Sequence, residues 1–78
     1  MNSSSVVRTV LRDLEIDVSG LGDSARLRDD LGVDSTELVE IAVAIERSTT
    51  VKIDTDEILG LKTLGDLVAY VDKAPQRG

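Results

Sequence analysis

The chain has 78 residues, which is room for one domain. It contains no Cys and no His, so disulfides, thiol nucleophiles and His-based acid–base catalysis are excluded. The net charge of −6 disfavours nucleic-acid binding, which requires a basic surface, and no apolar run is long enough to span a membrane. We therefore expect a monomeric, cytoplasmic domain whose core is aliphatic, because Phe and Trp are also absent.

The negative charge is concentrated in the middle third of the chain. Residues 29–57 carry nine acidic groups against two basic ones, a net charge of −7, whereas residues 1–28 are neutral. Opposite potentials steer association, so this distribution favours a basic protein partner. The alternative is a solvated acidic face that serves only solubility.

A first helix is predicted from about Ser4 to Glu15, with Ser3, Ser4 or Ser5 as its N-cap. Its apolar residues lie on one helical face and are Val7, Val10, Leu11 and Leu14. A long connection follows, from about Ile16 to Gly32, and its glycines break regular structure. Its apolar residues are expected to hold it against the core: Ile16, Val18, Leu21, Leu27 and Leu31.

A second helix is predicted from about Ser35 to Ser48. Asp34 is positioned to cap it and places negative charge at the positive end of the helix dipole. The residues expected to face the core are Leu38, Ile41, Ala42 and Ile45.

A short third helix is expected from Thr55 to Leu59, and a fourth from Thr63 to about Lys73, before Pro75 prevents continuation. The fourth helix would bury Leu64, Leu67, Val68 and Val71. The sequence thus predicts an all-α fold: a small four-helix bundle, with three main helices, a short third helix and a long loop between helices 1 and 2. We expect residues 1–78 to form a single domain with a short flexible tail at about residues 74–78.

The segment from Asp30 to Glu40 places the hydroxyl of Ser35 at the start of a helix, after a glycine turn and beside acidic groups. A catalytic serine needs a base, and the chain has no His and no Lys at a spacing that would serve. We therefore expect a non-catalytic protein. Two interpretations of Ser35 remain open from the residues alone: a serine modified by another enzyme, or a plain N-terminal helix residue.

This segment resembles the attachment motif of acyl carrier proteins, which typically reads Asp-Ser-Leu before an acidic, apolar helix; here it reads Asp34-Ser35-Thr36. The resemblance extends over nearly the whole chain. It implies that a magnesium-dependent phosphopantetheinyl transferase attaches 4′-phosphopantetheine from coenzyme A to Ser35, next to Asp34. The thiol of that arm would then hold an acyl group as a thioester, so a chain without Cys would import its sulfur.

The resemblance also implies a partner-docking face on the second and third helices. An apolar strip of Thr36, Val39 and Val43 would be flanked by acids that attract basic residues of acyltransferases, ligases or ketosynthases. The docking residues expected are Thr36, Glu37, Val39, Glu40, Val43, Glu46, Arg47, Asp54, Asp56 and Glu57. The alternatives are that the valines belong to the core and that the third-helix acids serve capping and solubility.

Two departures from the family pattern favour a specialised carrier of polyketide or related secondary metabolism over a fatty-acid carrier. Thr36 replaces the usual leucine, and Asp54 stands where a proline often precedes the third helix. The alternatives are an aminoacyl or peptidyl carrier with the same arm, and an unmodified acidic helical adaptor. The acids around Asp54 lack the pattern of a calcium loop, so no metal site is expected.

Overall fold

A computed structural model describes residues 2–76 of the chain. Its helices are α1 (Ser3–Asp13), α2 (Ser35–Ser48), α3 (Thr55–Ile58) and α4 (Leu64–Lys73). Within residues 2–76 there are no strands, only two isolated bridges, Arg26 with Thr63 and Val51 with Gln76. The predicted all-α fold, with a short third helix and a long first connection, is confirmed.

The first helix differs from the prediction at both ends. Its N-cap is Asn2, whose side-chain oxygen accepts a hydrogen bond from the amide of Ser5 at 2.7 Å, so the serine caps predicted from the sequence were wrong. The helix ends at Asp13 instead of Glu15 because Glu15 adopts the left-handed conformation, with φ of 65°. The backbone then turns away, and the amide of Ile16 closes the turn on the carbonyl of Leu11 at 2.9 Å.

The core is aliphatic, as expected. α1 packs against both α2 and α4, and α3 packs against α2. The predicted stripe of α2 is entirely buried, and the loop contributes Ile16 and Leu27, with further residues that the pattern did not single out. The buried set is Val7, Val10, Leu11, Ile16, Ala25, Leu27, Val33, Leu38, Ile41, Ala42, Ile45, Val51, Ile53, Ile58, Leu64, Leu67 and Val71.

The long connection is held against the segment that precedes α4. The amide of Leu27 donates to the carbonyl of Lys62 at 2.9 Å, and the amide of Leu64 donates to the carbonyl of Ala25 at 2.8 Å. At Gly65 the contact is close, since a Cβ there would lie 2.9 Å from the Cβ of Asp23. The loop is therefore a structured part of the fold, fixed by backbone hydrogen bonds that join distant parts of the chain.

The C-terminal segment is anchored as far as Gln76. The amide of Lys52 donates to the carbonyl of Pro75 at 2.8 Å, and the Thr50 hydroxyl bonds the side-chain oxygen of Gln76. The expected flexible tail covered about residues 74–78; its last two residues lie outside the described part of the chain.

Candidate phosphopantetheine attachment site

The candidate attachment site is the turn that leads into α2. Gly32 has φ of 70°, a conformation that favours glycine, and the buried side chain of Val33 fixes the turn to the core. Asp34 then caps the helix, since its Oδ1 accepts a hydrogen bond from the amide of Glu37 at 2.8 Å. As a result Ser35 is the first residue of α2, and its side chain is exposed.

The hydroxyl of Ser35 has a neighbour that the sequence analysis did not identify. A guanidinium nitrogen of Arg28, Nη2, donates to Ser35 Oγ at 3.3 Å. The two residues are seven apart in an irregular segment, so no helical or strand periodicity pairs them. The only sequence signal was a basic residue next to the acidic stretch that begins at Asp29.

The expected apolar strip of α2 lies on the surface. Val39 is 37% exposed and Val43 is 40% exposed, and they are the large hydrophobic residues that stand out as exposed among residues 2–76. Thr36 and Glu40 are exposed beside them, while Leu38 on the opposite side is fully buried. The alternative in which the valines widen the buried stripe is therefore wrong.

The strip borders a groove of about 450 Å³ between the end of α1 and α2. The groove is lined by Leu14, Val39, Glu40, Val43, Ala44, Arg47 and Ser48. Arg47, which interrupts the acidic residues in the sequence, is exposed at this groove. The surface thus combines apolar area with one acidic and one basic side chain.

Glu37 and Glu46 are half-buried. Glu46 holds the fold together, because its Oε2 accepts a hydrogen bond from the amide of Ile53 at 2.7 Å and so ties α2 to the segment before α3. A role in docking would have to coexist with this structural bond.

The acids of α3 have different environments. Asp54 is the N-cap, and its side chain accepts from the amides of Asp56 and Glu57. Glu57 accepts a hydrogen bond from the hydroxyl of Tyr70 at 2.8 Å, and that hydroxyl accepts one from the amide of Asp54 at 3.1 Å. Asp56 is exposed. Tyr70 therefore fixes α3 to α4 and orients one of the surface acids.

The environment of Tyr70 changes its acidity. Burial raises the pKa of the Tyr70 hydroxyl, the hydrogen bond from the Asp54 amide opposes the rise, and the bond to Glu57 adds to it.

Few acids of this region are neutralised by cations. The ion pairs of Arg8 with Asp23 and of Arg26 with Asp29 lie outside α2 and α3, and among the α2 acids Glu46 is engaged by the amide of Ile53. The carboxylates of α2 and α3 consequently present net negative charge to an approaching partner.

A second cleft, of about 640 Å³, lies between the long loop and the turn that joins α3 to α4. Arg28 lines it together with Leu59 and Leu61. Among the described residues there is no group of acids that could hold a metal ion, and no helix is long and apolar enough to cross a membrane.

Comparison with known proteins identifies the family. A family model described as a phosphopantetheine attachment site matches residues 4–71, which include Arg28, Asp34 and Ser35. An acyl carrier protein of Thermotoga maritima is 36% identical over 70 residues, covering 90% of this chain and 86% of the relative.

Other relatives match a shorter segment. An acyl carrier protein of Rhodococcus erythropolis is 46% identical over 50 residues, 64% of this chain and 55% of the relative. A meromycolate extension acyl carrier protein of Mycolicibacterium aurum is 51% identical over 45 residues, 58% of this chain and 46% of the relative. The match therefore spans about half the length of each of these two proteins.

The matched segment contains the exposed hydroxyl at the start of α2, and the fold around it is helical. Sequence similarity and structure therefore indicate the same family. Members of this family are non-catalytic carriers whose covalent cofactor is 4′-phosphopantetheine. The chain belongs to the acyl carrier protein family.

Proposed function

We propose that Ser35 is the residue that receives the 4′-phosphopantetheine arm. The observation that carries this proposal is the position of its hydroxyl, exposed at the first residue of α2 within the matched segment. Asp34 holds the backbone at this point by capping the helix. The arm would therefore start from a rigid helix end while remaining free to reach into a partner's active site.

Docking of partner enzymes is proposed for the face formed by α2 and α3. Val39 and Val43 supply exposed apolar area, and the surrounding carboxylates supply the attraction for Lys and Arg. The partners proposed are the phosphopantetheinyl transferase that adds the arm and the acyltransferases, ligases or ketosynthases that load and process the cargo. Glu40 and Asp56 best suit this role, because both are exposed and, within residues 2–76, no hydrogen bond engages their side chains as bonds engage those of Asp54 and Glu57.

The pathway we propose is polyketide or related secondary metabolism, on the two departures from the family pattern at Thr36 and Asp54. Thr36 is exposed next to the attachment point. Its side chain is smaller and more polar than the usual leucine, which changes the surface that a partner enzyme contacts. A second candidate is the extension of long acyl chains, since relatives named meromycolate extension acyl carrier proteins reach 51% identity over 45 residues. The single-domain organisation and the cytoplasmic location remain predictions.

The attachment is tested by the intact mass of the protein before and after incubation with coenzyme A, magnesium and a broad-specificity phosphopantetheinyl transferase. We expect the unmodified wild type to gain one phosphopantetheine and Ser35→Ala to gain none. Ser24→Ala is the matched control, because Ser24 is also exposed but lies in the loop, and it should gain the arm normally.

If the Ser35→Ala variant were still modified, the assignment of the site would be wrong. If several transferases left the unmodified wild type unchanged, the carrier function itself would be contradicted and the unmodified acidic adaptor would be favoured. Loading with acyl or aminoacyl donors then separates an acyl carrier from the aminoacyl alternative.

A further inference from the structure

Arg28 is held in place by the fold of the long loop. Its neighbour Leu27 is fully buried, and the Leu27 amide donates to the carbonyl of Lys62 at 2.9 Å. The carbonyl of Leu27 accepts from the amide of Val33 at 2.9 Å, which brings the loop back towards the start of α2. Arg28 is thus positioned next to Ser35 by backbone bonds that do not depend on its own side chain.

The charge of Arg28 has no carboxylate partner within residues 2–76. Its side-chain hydrogen bond is to the neutral hydroxyl of Ser35, at 3.3 Å. Arg26, two residues earlier, provides a contrast because its guanidinium lies 3.4 Å from Asp29. Arg28 lies next to an acidic region, yet its guanidinium bonds a hydroxyl and no carboxylate. It is therefore available to bind another anion.

We propose that Arg28 binds the phosphate of the arm attached to Ser35 and thereby positions the base of the arm. The inference rests on the proposed function, because it requires the phosphodiester to be on this serine. Modification forms a bond between Ser35 Oγ and the phosphorus of the arm, breaks the diphosphate linkage of coenzyme A, and releases adenosine 3′,5′-bisphosphate and the hydroxyl proton. The non-bridging phosphate oxygens are then two bonds from Oγ. With Nη2 already 3.3 Å from Oγ, a small side-chain movement brings those oxygens within hydrogen-bonding distance of the guanidinium.

The chemistry of the site supports this pairing. A guanidinium presents several N–H donors in a plane and binds phosphate through two of them, which fixes direction as well as distance. The phosphodiester adds negative charge beside Asp34 and near Glu37, in a region that is already acidic. Arg28 offsets that repulsion, and within residues 2–76 it forms no ion pair with Asp34, whose Oδ1 caps α2.

The test compares the apo and holo forms of four proteins: wild type, Arg28→Gln, Arg28→Lys and Arg26→Gln. Arg26→Gln is the matched control, since it removes the same charge from the same loop without touching Ser35. The first readout is the ³¹P NMR resonance of the arm, and the second is the difference in Tm between the holo and apo forms. Comparing each variant with its own apo form separates the phosphate contact from any effect on folding.

In the wild type and in Arg26→Gln, we expect a ³¹P resonance displaced from that of free phosphopantetheine, and a displacement that shrinks as salt is added. In Arg28→Gln the resonance should move to the free position, and the holo-minus-apo Tm should be lower than in wild type by about 1–4 °C. Arg28→Lys should restore part of both effects, because it keeps the charge and loses the planar fork.

Equal ³¹P positions and equal holo-minus-apo Tm differences in wild type and Arg28→Gln would overturn the inference. So would an equal loss in Arg26→Gln, since that would show a general charge effect. Failure to obtain any holo protein would instead contradict the proposed function of Ser35, so the two failures are distinguishable.

Discussion

At the scale of single residues, Val39 and Val43 are the side chains whose position needs a functional explanation. Leu38, Ile41 and Ile45, on the core-facing side of the same helix, are fully buried, so α2 has apolar residues enough for its core contact without the two valines. Exposed valines rimmed by carboxylates are characteristic of a surface that another protein covers. Their contribution is therefore expected in binding and not in stability.

Replacing Val39 and Val43 by threonine tests this expectation. The change keeps the shape of each side chain and lowers its apolar area, so affinity for the phosphopantetheinyl transferase should fall by about fivefold, or about 1 kcal/mol. Titration calorimetry measures the affinity, and chemical unfolding should show little change in stability. The matched control is Ala69→Thr, an exposed position on α4, which should bind like the wild type. Unchanged affinity in the double variant would contradict the docking face.

The surroundings of Ser35 show what a sequence can and cannot predict at this scale. Asp34 was identified as the cap because capping depends on residues close in sequence, and its bond to the amide of Glu37 is present. Arg28 was missed because its approach to Ser35 depends on the bond between Leu27 and Lys62, which are far apart in the chain.

At the scale of the secondary-structure elements, the bounds of α2 could be predicted from nearby residues, whereas those of α1 could not. The bounds of α2, Ser35–Ser48, match the prediction because a clear cap precedes a clear apolar stripe. At the start of α1 several residues in a row were able to cap, and Asn2 does so. Its end was predicted too late because nothing in the local pattern indicates that Glu15 leaves the helical conformation.

The end of α1 provides a stability prediction. The amide of Glu15 donates to the carbonyl of Arg12 and that of Ile16 to the carbonyl of Leu11, both at 2.9 Å, which is a Schellman turn with a non-glycine residue at the left-handed position. Glu15→Gly removes the Cβ strain and should stabilise the fold by about 1 kcal/mol, after allowing for the greater freedom of glycine in the unfolded chain. Urea unfolding measures the change.

Glu15→Gln is the control for this prediction, since it removes the charge and keeps the Cβ. It should recover little of the gain. A loss of stability in Glu15→Gly would show that the Cβ strain at the left-handed position is smaller than the entropic cost of glycine in the unfolded chain.

The start of α4 provides a pH prediction. Thr63 and Asp66 form a reciprocal capping box, and the backbone amides of Thr63 and Lys62 donate to the Asp66 carboxylate, which lowers its pKa below the ordinary value of 3.8. Because the folded-state pKa is lowered, the stabilisation is present above that value and is lost as the pH falls below it.

Asp66→Asn should therefore reduce stability at neutral pH and have a smaller effect at the acidic end of the range. Urea midpoints measured from about pH 7 to about pH 3 give the difference at each pH. Asp13→Asn is the control for the loss of a surface carboxylate, because Asp13 is exposed and is not part of the capping box. A constant difference for Asp66→Asn would contradict the capping account.

At the scale of the whole molecule, the fold separates a neutral, buried framework from a charged working surface. The core uses only aliphatic side chains, while α2 and α3 carry a net negative charge and the candidate attachment serine. Composition and helical periodicity predicted this division, because amphipathic helices pack their apolar faces against one another and leave their charged faces in solvent. The path of the long loop was not predictable, since it is set by non-local backbone bonds such as that between Leu64 and Ala25.

In the proposed function, a chain without Cys carries acyl groups on a thiol imported at Ser35. The most direct measurement loads the holo protein with an acyl group, using an acyl carrier protein ligase, and records its intact mass before and after treatment with neutral hydroxylamine, which cleaves thioesters. We predict a mass gain of one acyl group in the holo wild type, its complete loss with hydroxylamine, and no gain in Ser35→Ala. An acyl group that resists hydroxylamine, or one that also appears on Ser35→Ala, would contradict the account.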